Sequence, residues 1–274
     1  MTFDVLGPPA LDYLTCRYGT SKLNFRGPER RLEGPYTAFL GGMLTFGRFI
    51  EQPFPLLVEH LTGFPSVNFG QCHAGPDLFH TDPVLTQAAQ GARVTVIEVP
   101  GAVNFSNRFY SVHPRRNDRF LAAHPVLQRL YPEVDFTAVA FTQHLIATLQ
   151  RCDPGRFDVV RKHLQRGGLR RMEHLLKRID GPVVLLWLAE AAPPVQCVAG
   201  PTAAPRFVTR AMLDALAPLY VARVHVPFAE TGGDAEREGK HFSPLEEAAA
   251  ARVPGPELHR RVARALLPVL DMLP

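Results

Sequence analysis

The feature that most limits what this chain can fold into is a set of short, apolar runs set between helical patterns. Residues 182–188 (P-V-V-L-L-W-L) and 94–99 (V-T-V-I-E-V) are the clearest. A run this apolar, rich in β-branched residues and closed by a turn signal, suits a strand buried on both faces, because a half-exposed strand would alternate with polar residues. Residues 36–40, 66–69 and 220–226 read the same way. Helical patterns fill the intervals at 48–61 (with the start delayed to Pro53), 82–90, 136–149, 154–179 and 209–216. Two more, 244–252 and 256–273, finish the chain.

Apolar strands alternating with helices imply a parallel sheet covered on both faces. Five such strands with right-handed crossovers predict an α/β, flavodoxin-like three-layer sandwich built on a five-stranded parallel sheet. The 274 residues are expected to form one α/β domain. Residues 1–35, rich in Gly, Pro, Arg and Tyr, read as an irregular N-terminal arm. Residues 102–179 read as a long loop and helical insertion after the third strand, with Gly167 and Gly168 expected to bend or break its last helix.

Composition closes off several function classes. A net charge of +4, spread over 30 basic and 26 acidic residues, gives no strong field for nucleic acid. No apolar run approaches the roughly 20 residues of a membrane helix, and the amino terminus lacks a signal-peptide pattern. Cys16, Cys72, Cys152 and Cys197 lie far apart with no C-x-x-C pair. They read as reduced thiols in a cytoplasmic protein, with neither a metal site nor a cofactor implied.

Polar, glycine-rich segments follow the strands, where an open α/β sheet gathers ligand-binding loops. These are G-G-M-L-T-F-G (41–47), N-F-G-Q-C-H-A-G (68–75), P-G-A-V-N (100–104) and E-G-K-H-F-S-P (238–244). Cys72 beside His73 reads as a structural thiol next to a loop histidine, since adjacent residues seldom face each other. The run N-R-F-Y-S-V-H-P-R-R-N-D-R-F (107–120) mixes Arg with aromatic residues. It is either a pocket lining, with Asn104, Asn107, Arg108 and Tyr110, or a solvated lid whose arginines pair with Asp118. The basic loops R-Y-G-T-S-K (17–22) and F-R-G-P-E-R-R (25–31) read either as anion-binding or as a solvated surface.

In this order the four loops resemble the blocks of the SGNH/GDSL hydrolases, which act on esters, acetylated sugars and lipids. Gly41, Thr45, Phe46 and Gly47 fit the first block, G-D-S-x-T-x-G, but Gly42 replaces its aspartate and Met43 its serine nucleophile. The resemblance implies that Gly70 or Gly75 supplies an oxyanion amide and Asn104 an oxyanion side chain. It also implies that Glu238 and His241 stand for the orienting acid and base. A thioether has no proton to lose, so a serine esterase mechanism at position 43 is excluded. Thr45 is a weak substitute nucleophile. The whole chain, on its 17–22 and 106–120 segments, also resembles an uncharacterised bacterial family of unknown function.

The expected function is therefore binding of a polar small molecule, a sugar or anionic metabolite, in a crevice at the carboxyl ends of the strands. Gly42, Met43, Gly70, Gly75, Asn104 and Arg108 would line it, with no membrane or nucleic-acid partner. One alternative is a carbohydrate-modifying transferase (acyl, sulfo or glycosyl) with His241 as base and Arg17, Lys22, Arg26 or the 115–119 cluster holding the donor's phosphate or sulfate. Another is a structural or assembly protein.

Overall fold

The structure is a computed structural model describing residues 11–196, 205–228 and 238–273. Cys197, the first ten residues of the arm and the loop residues 229–237 lie outside them. All five predicted strands form: β1 (Thr37–Gly41), β2 (Ser66–Gly70), β3 (Val94–Glu98), β6 (Val183–Ala189) and β7 (Ala222–Pro227). They pair in parallel in the order β2-β1-β3-β6-β7.

Alternate residues of the three inner strands, β1, β3 and β6, serve two cores. Phe39, Val96, Val184 and Leu186 point to α2 (Phe54–Thr62) and α10 (Pro256–Asp271), where Phe39 meets Phe54 edge-on with ring centroids 5.7 Å apart. Ala38, Leu40, Val67, Ile97 and Leu185 point the other way, into the larger core. That core also takes in α3 (Pro76–Thr81), α4 (Pro83–Gly91), α5 (Pro125–Leu130), α6 (Thr142–Cys152), α7 (Pro154–Leu176) and α8 (Arg210–Ala215), through residues such as Leu78, Leu85, Leu127, Leu145, Leu164 and Leu213, while α9 (Glu247–Ala250) joins a small cluster with Phe49. Helices thus flank the sheet on both faces, which is why the inner strands β1, β3 and β6 are almost wholly buried, whereas the edge strand β7 leaves Arg223 and His225 exposed.

Three elements depart from expectation. The segment 102–179, expected to open as a loop, instead begins with an antiparallel hairpin, β4 (Tyr110–His113) and β5 (Arg116–Ala123), with register shifts around Val112. Its alternation is masked because the strands are irregular and carry Arg outward. A single helical turn, α1 (Met43–Phe46), follows β1 directly. Finally, α7 runs unbroken through Gly167 and Gly168. A Cβ on Gly168 would lie 2.7 Å from the Ala102 Cβ, and one on Gly167 would lie 2.9 Å from the Phe105 ring. The glycines let the segment after β3 lie against the helix.

Candidate functional site

The strand order reverses between β1 and β3: the chain steps from β1 to β2 on one side, and from β3 to β6 and β7 on the other. Ligands of open α/β sheets bind outside the carboxyl ends at such a reversal. Here that point is occupied by Glu98, the last residue of β3. Its Oε2 accepts three hydrogen bonds, from the Gly42 N–H (2.9 Å), the Thr45 N–H (3.0 Å) and the Thr45 hydroxyl (2.5 Å). The first amides of a helix lack intrahelical partners, and a carboxylate at that end has the favourable sign for the helix dipole. Gly41 makes the approach possible, since a Cβ there would stand 2.0 Å from Thr45 Oγ1 and 2.6 Å from Glu98 Oε2. Burial pushes the Glu98 carboxyl above its ordinary range, more strongly than the bonds from Thr45 and Gly42 pull it down. The residue keeps partial exposure, and its Oε1 has no hydrogen-bond partner among the described residues.

The other end of α1 is held by Arg26, a residue 6% exposed. Its Nη1 donates to the carbonyls of Phe46 (3.3 Å) and Gly47 (2.6 Å), and its Nη2 to that of Glu51 (2.9 Å). Asn68 of β2 ties the turn sideways, with Nδ2 donating to the Thr45 carbonyl at 2.8 Å and Oδ1 accepting the Gly70 N–H at 2.9 Å. A four-residue helix, too short to persist alone, is fixed at both ends and on one flank.

The loop after β2 contains a second constellation. His73 Nδ1 faces Asp118 Oδ2 of β5 at 3.0 Å, and the Asn117 N–H donates to the His73 carbonyl at 3.1 Å. The ring's Nε2 has no partner among the described residues, and the side chain is 37% exposed. Burial raises the Asp118 carboxyl, but the hydrogen bond and charge of His73 and the charge of Arg116 together hold it below the usual range. Its Oδ1 is buried without a hydrogen-bond partner among the described residues. An imidazole held through Nδ1 by a carboxylate, with Nε2 outward, is the arrangement of an oriented general base. Cys72 beside it lies close enough to Glu98 and Arg48 to feel both charges. Burial pushes its thiol up to about 11, so it stays protonated at neutral pH.

The residues singled out from sequence are distributed as follows. Gly42 donates to Glu98, while Met43 packs against the small cluster of Phe49, Ala250 and Val253. Thr45 is 1% exposed with its hydroxyl on Glu98, out of a substrate's reach. The Gly70 amide is taken by Asn68 and the Gly75 amide by Asn117 Oδ1 at 3.0 Å. Gly75 is needed for close packing, since a Cβ there would lie 1.7 Å from the Asn104 carbonyl oxygen. The Asn104 side chain accepts from the Thr142 hydroxyl at 2.6 Å. Arg108 is exposed, over the Phe109 ring. His241 is tied to the α1 region by its N–H to the Phe49 carbonyl (2.9 Å), and its Nε2 lies 3.8 Å from Glu51 Oε2. Glu238 sits in an exposed turn.

The full length of the chain, residues 1–274, matches a family described as a domain of unknown function (DUF6473). The chain belongs to this family. No curated protein matches the sequence. Membership covers the arm, the hairpin and both terminal helices alike, so Arg26, His73, Glu98 and Asp118 all lie within the family's own span.

Sequence reasoning missed Glu98 and the pairing of His73 with Asp118. The signal for Glu98 was a lone acid at the end of V-T-V-I-E-V, just before Pro100-Gly101, where a charge has no place in a strand buried on both faces. The partners His73 and Asp118 are brought together by a hairpin that the sequence pattern did not reveal. Among the described residues there is no cluster of His, Cys, Asp or Glu with the makings of a metal site, and no helix long and apolar enough to cross a membrane.

Proposed function

We propose that the chain binds a polar small molecule, a sugar or an anionic metabolite, in the crevice over the carboxyl ends of β1, β2 and β3. It handles protons there without forming an acyl intermediate. On this reading the sheet is flavodoxin-like, and the likeness to SGNH/GDSL hydrolases is one of scaffold with the esterase chemistry lost. The reversal of strand order between β1 and β3 supports the scaffold.

The observation that carries the proposal is the placement of Glu98 at that reversal. It is a carboxyl raised by burial, anchored through Oε2, with Oε1 free of partners among the described residues. When protonated it donates to a ligand oxygen; when ionised it accepts from a hydroxyl. Three further facts weigh against acyl transfer. Met43 has no transferable proton and packs into an apolar cluster. The amides of Gly42, Gly70 and Gly75 are spent on Glu98, Asn68 and Asn117, so none of these three serves an oxyanion.

A second reading is a carbohydrate-modifying transferase, favoured by the His73–Asp118 pair. His73 Nε2 would take the proton of an acceptor hydroxyl while Asp118 holds the ring and offsets its charge. This moves the base from His241, whose Nε2 has the exposed Glu51 carboxylate at 3.8 Å. The test is a thermal-shift screen with monosaccharides, nucleotide sugars and sulfate, on wild type, Glu98→Gln and His73→Asn. Stabilisation that weakens in Glu98→Gln supports the binding reading, and transfer activity lost in His73→Asn supports the second. Ligand binding unchanged by both substitutions contradicts the proposal, and efficient wild-type hydrolysis of simple esters contradicts the absence of acyl chemistry.

A further inference from the structure

Between the arm and the edge strand β2 lies a cavity of about 230 Å³. Tyr13, Arg26, Pro53, Leu56, Ser66 and Asn68 form much of its wall. Ser66 and Asn68 reach it because they alternate with Val67 and Phe69, which serve the larger core. This site is separate from the groups invoked at the strand ends, and nothing in the reading above uses it.

The cavity's main asset is Arg26. The guanidinium is buried, lies over the Tyr13 ring at 5.2 Å, and has no carboxylate among its hydrogen-bond partners. A guanidinium has five N–H donors. Three bonds are made to the Phe46, Gly47 and Glu51 carbonyls, so the Nε–H and one Nη2–H have no acceptor among the described residues. Burial without a counter-ion lowers its pKa to about 10. Such a charge is costly unless something neutralises it. Ser66 adds a second unfilled group: it is 7% exposed, its N–H is taken by Glu59 Oε2 at 2.7 Å, and its Oγ has no partner among the described residues.

The other charges on the wall do not supply the missing anion. Arg30 is already held in a two-pronged pair by Glu59, at 2.9 and 2.7 Å. Asp12 and Glu51 are exposed residues. Asp12 Oδ1 accepts the Leu14 N–H, and Glu51 Oε2 lies nearest His241. Pro53 and Leu56 leave the opposite wall apolar.

We propose that this cavity is a binding site for a small organic anion, a phosphate monoester or carboxylate with an apolar body. Its oxygens take the two free donors of Arg26 and the Ser66 hydroxyl, and its body lies against Tyr13, Pro53 and Leu56. An anion seated there is also coupled to the crevice, because Arg26 holds one end of α1 and Glu98 the other.

The test uses the full chain with phenyl phosphate, benzoate and inorganic phosphate as probes and benzyl alcohol as the uncharged control, read by amide NMR shifts and calorimetry. Saturable binding of phenyl phosphate or benzoate is expected, with a dissociation constant on the order of 1 mM or tighter. Shifts should centre on Arg26, Gly27, Leu56 and Ser66, with none from benzyl alcohol. Ser66→Ala should weaken binding roughly three- to tenfold, and Arg26→Lys about tenfold or more because a fork is replaced by a point charge. If Arg26→Lys does not fold, Leu56→Trp fills the cavity without touching the Arg26 bonds and should abolish binding. Inorganic phosphate binding as tightly as phenyl phosphate would show that the apolar wall takes no part and overturn the stated ligand class. Absence of saturable binding by every anion, or binding untouched by Leu56→Trp, overturns the site. Since Glu98→Gln leaves this cavity intact, failure here and failure at the crevice are separable.

Discussion

The two ends of α1 make an instructive pair. At its start, one carboxylate oxygen of Glu98 collects three donors, and the amides of Gly42, Gly70 and Gly75 are already committed to side-chain acceptors. At its finish, one guanidinium gives three donors to carbonyls and keeps two in reserve, beside a cavity and an unpartnered hydroxyl. The first region is closed on itself, and what it offers a ligand is a proton at Glu98 Oε1. The second is incomplete and offers charge. Sites that look alike as glycine- and arginine-rich loops thus differ in whether their polar groups have anything left to give.

The largest test of this contrast is truncation of Glu98. Glu98→Ala leaves the Gly42 N–H, Thr45 N–H and Thr45 hydroxyl without their acceptor. It should lower stability by about 4 kcal/mol in urea unfolding, because buried donors lose their partners. Glu98→Gln keeps an acceptor oxygen and should cost less than about 1 kcal/mol. Equal effects would mean that charge, not partner satisfaction, holds the crevice together.

The second probe lies on the Arg26 side. His259 is 1% exposed, stacks on Phe54 and accepts the Phe54 N–H at Nδ1 (3.0 Å), while its Nε2 has no partner among the described residues. Burial, with a smaller contribution from the charge of Arg26, lowers its pKa to about 3. Between pH 6.5 and that value the unfolded chain binds a proton that the folded chain refuses, so stability falls as pH falls. The loss between pH 6.5 and 4 should reach about 3 kcal/mol. Unfolding curves across that range should flatten in His259→Asn by this amount; an unchanged slope would mean that the histidine is accessible to protons when folded.

Smaller effects follow. Gly168→Ala, stabilising by up to about 1 kcal/mol in an exposed helix, should instead destabilise by about 1–3 kcal/mol because of Ala102. Met43→Ser should cost about 1 kcal/mol of packing and yield no ester hydrolysis, because the amides that would hold an oxyanion are occupied. Esterase activity in that variant would show that those amides can be released.

The sheet was legible because strands buried on both faces leave an apolar signature that no surface element shares. The hairpin was not, since Tyr110–His113 and Arg116–Ala123 alternate irregularly around bulges and carry solvent-facing arginines. The two glycines of α7 were misread for a related reason: helix propensity is local, whereas the need for Gly167 and Gly168 comes from Phe105 and Ala102, some 60 residues earlier. At the site, residue types drew attention to Gly42, Gly70 and Gly75, and the positions do matter, although they serve close packing and internal bonds. Glu98 was overlooked because it sits inside a strand pattern, and Asp118 because it was grouped with the arginines around it. Arg26 could have been taken for a solvated loop residue; only the fold shows that it is buried.

The most direct measurement is the titration of the Glu98 carboxyl, followed by carbon NMR of labelled glutamate and assigned through Glu98→Gln. A folded-state midpoint above the ordinary value of 4.5, with shifts in the Gly42 and Thr45 amides over the same pH range, is the predicted result. A midpoint at or below that value, or one that leaves those amides unmoved, would show that Glu98 is a permanently ionised helix anchor. It would remove the proton on which the proposed function rests.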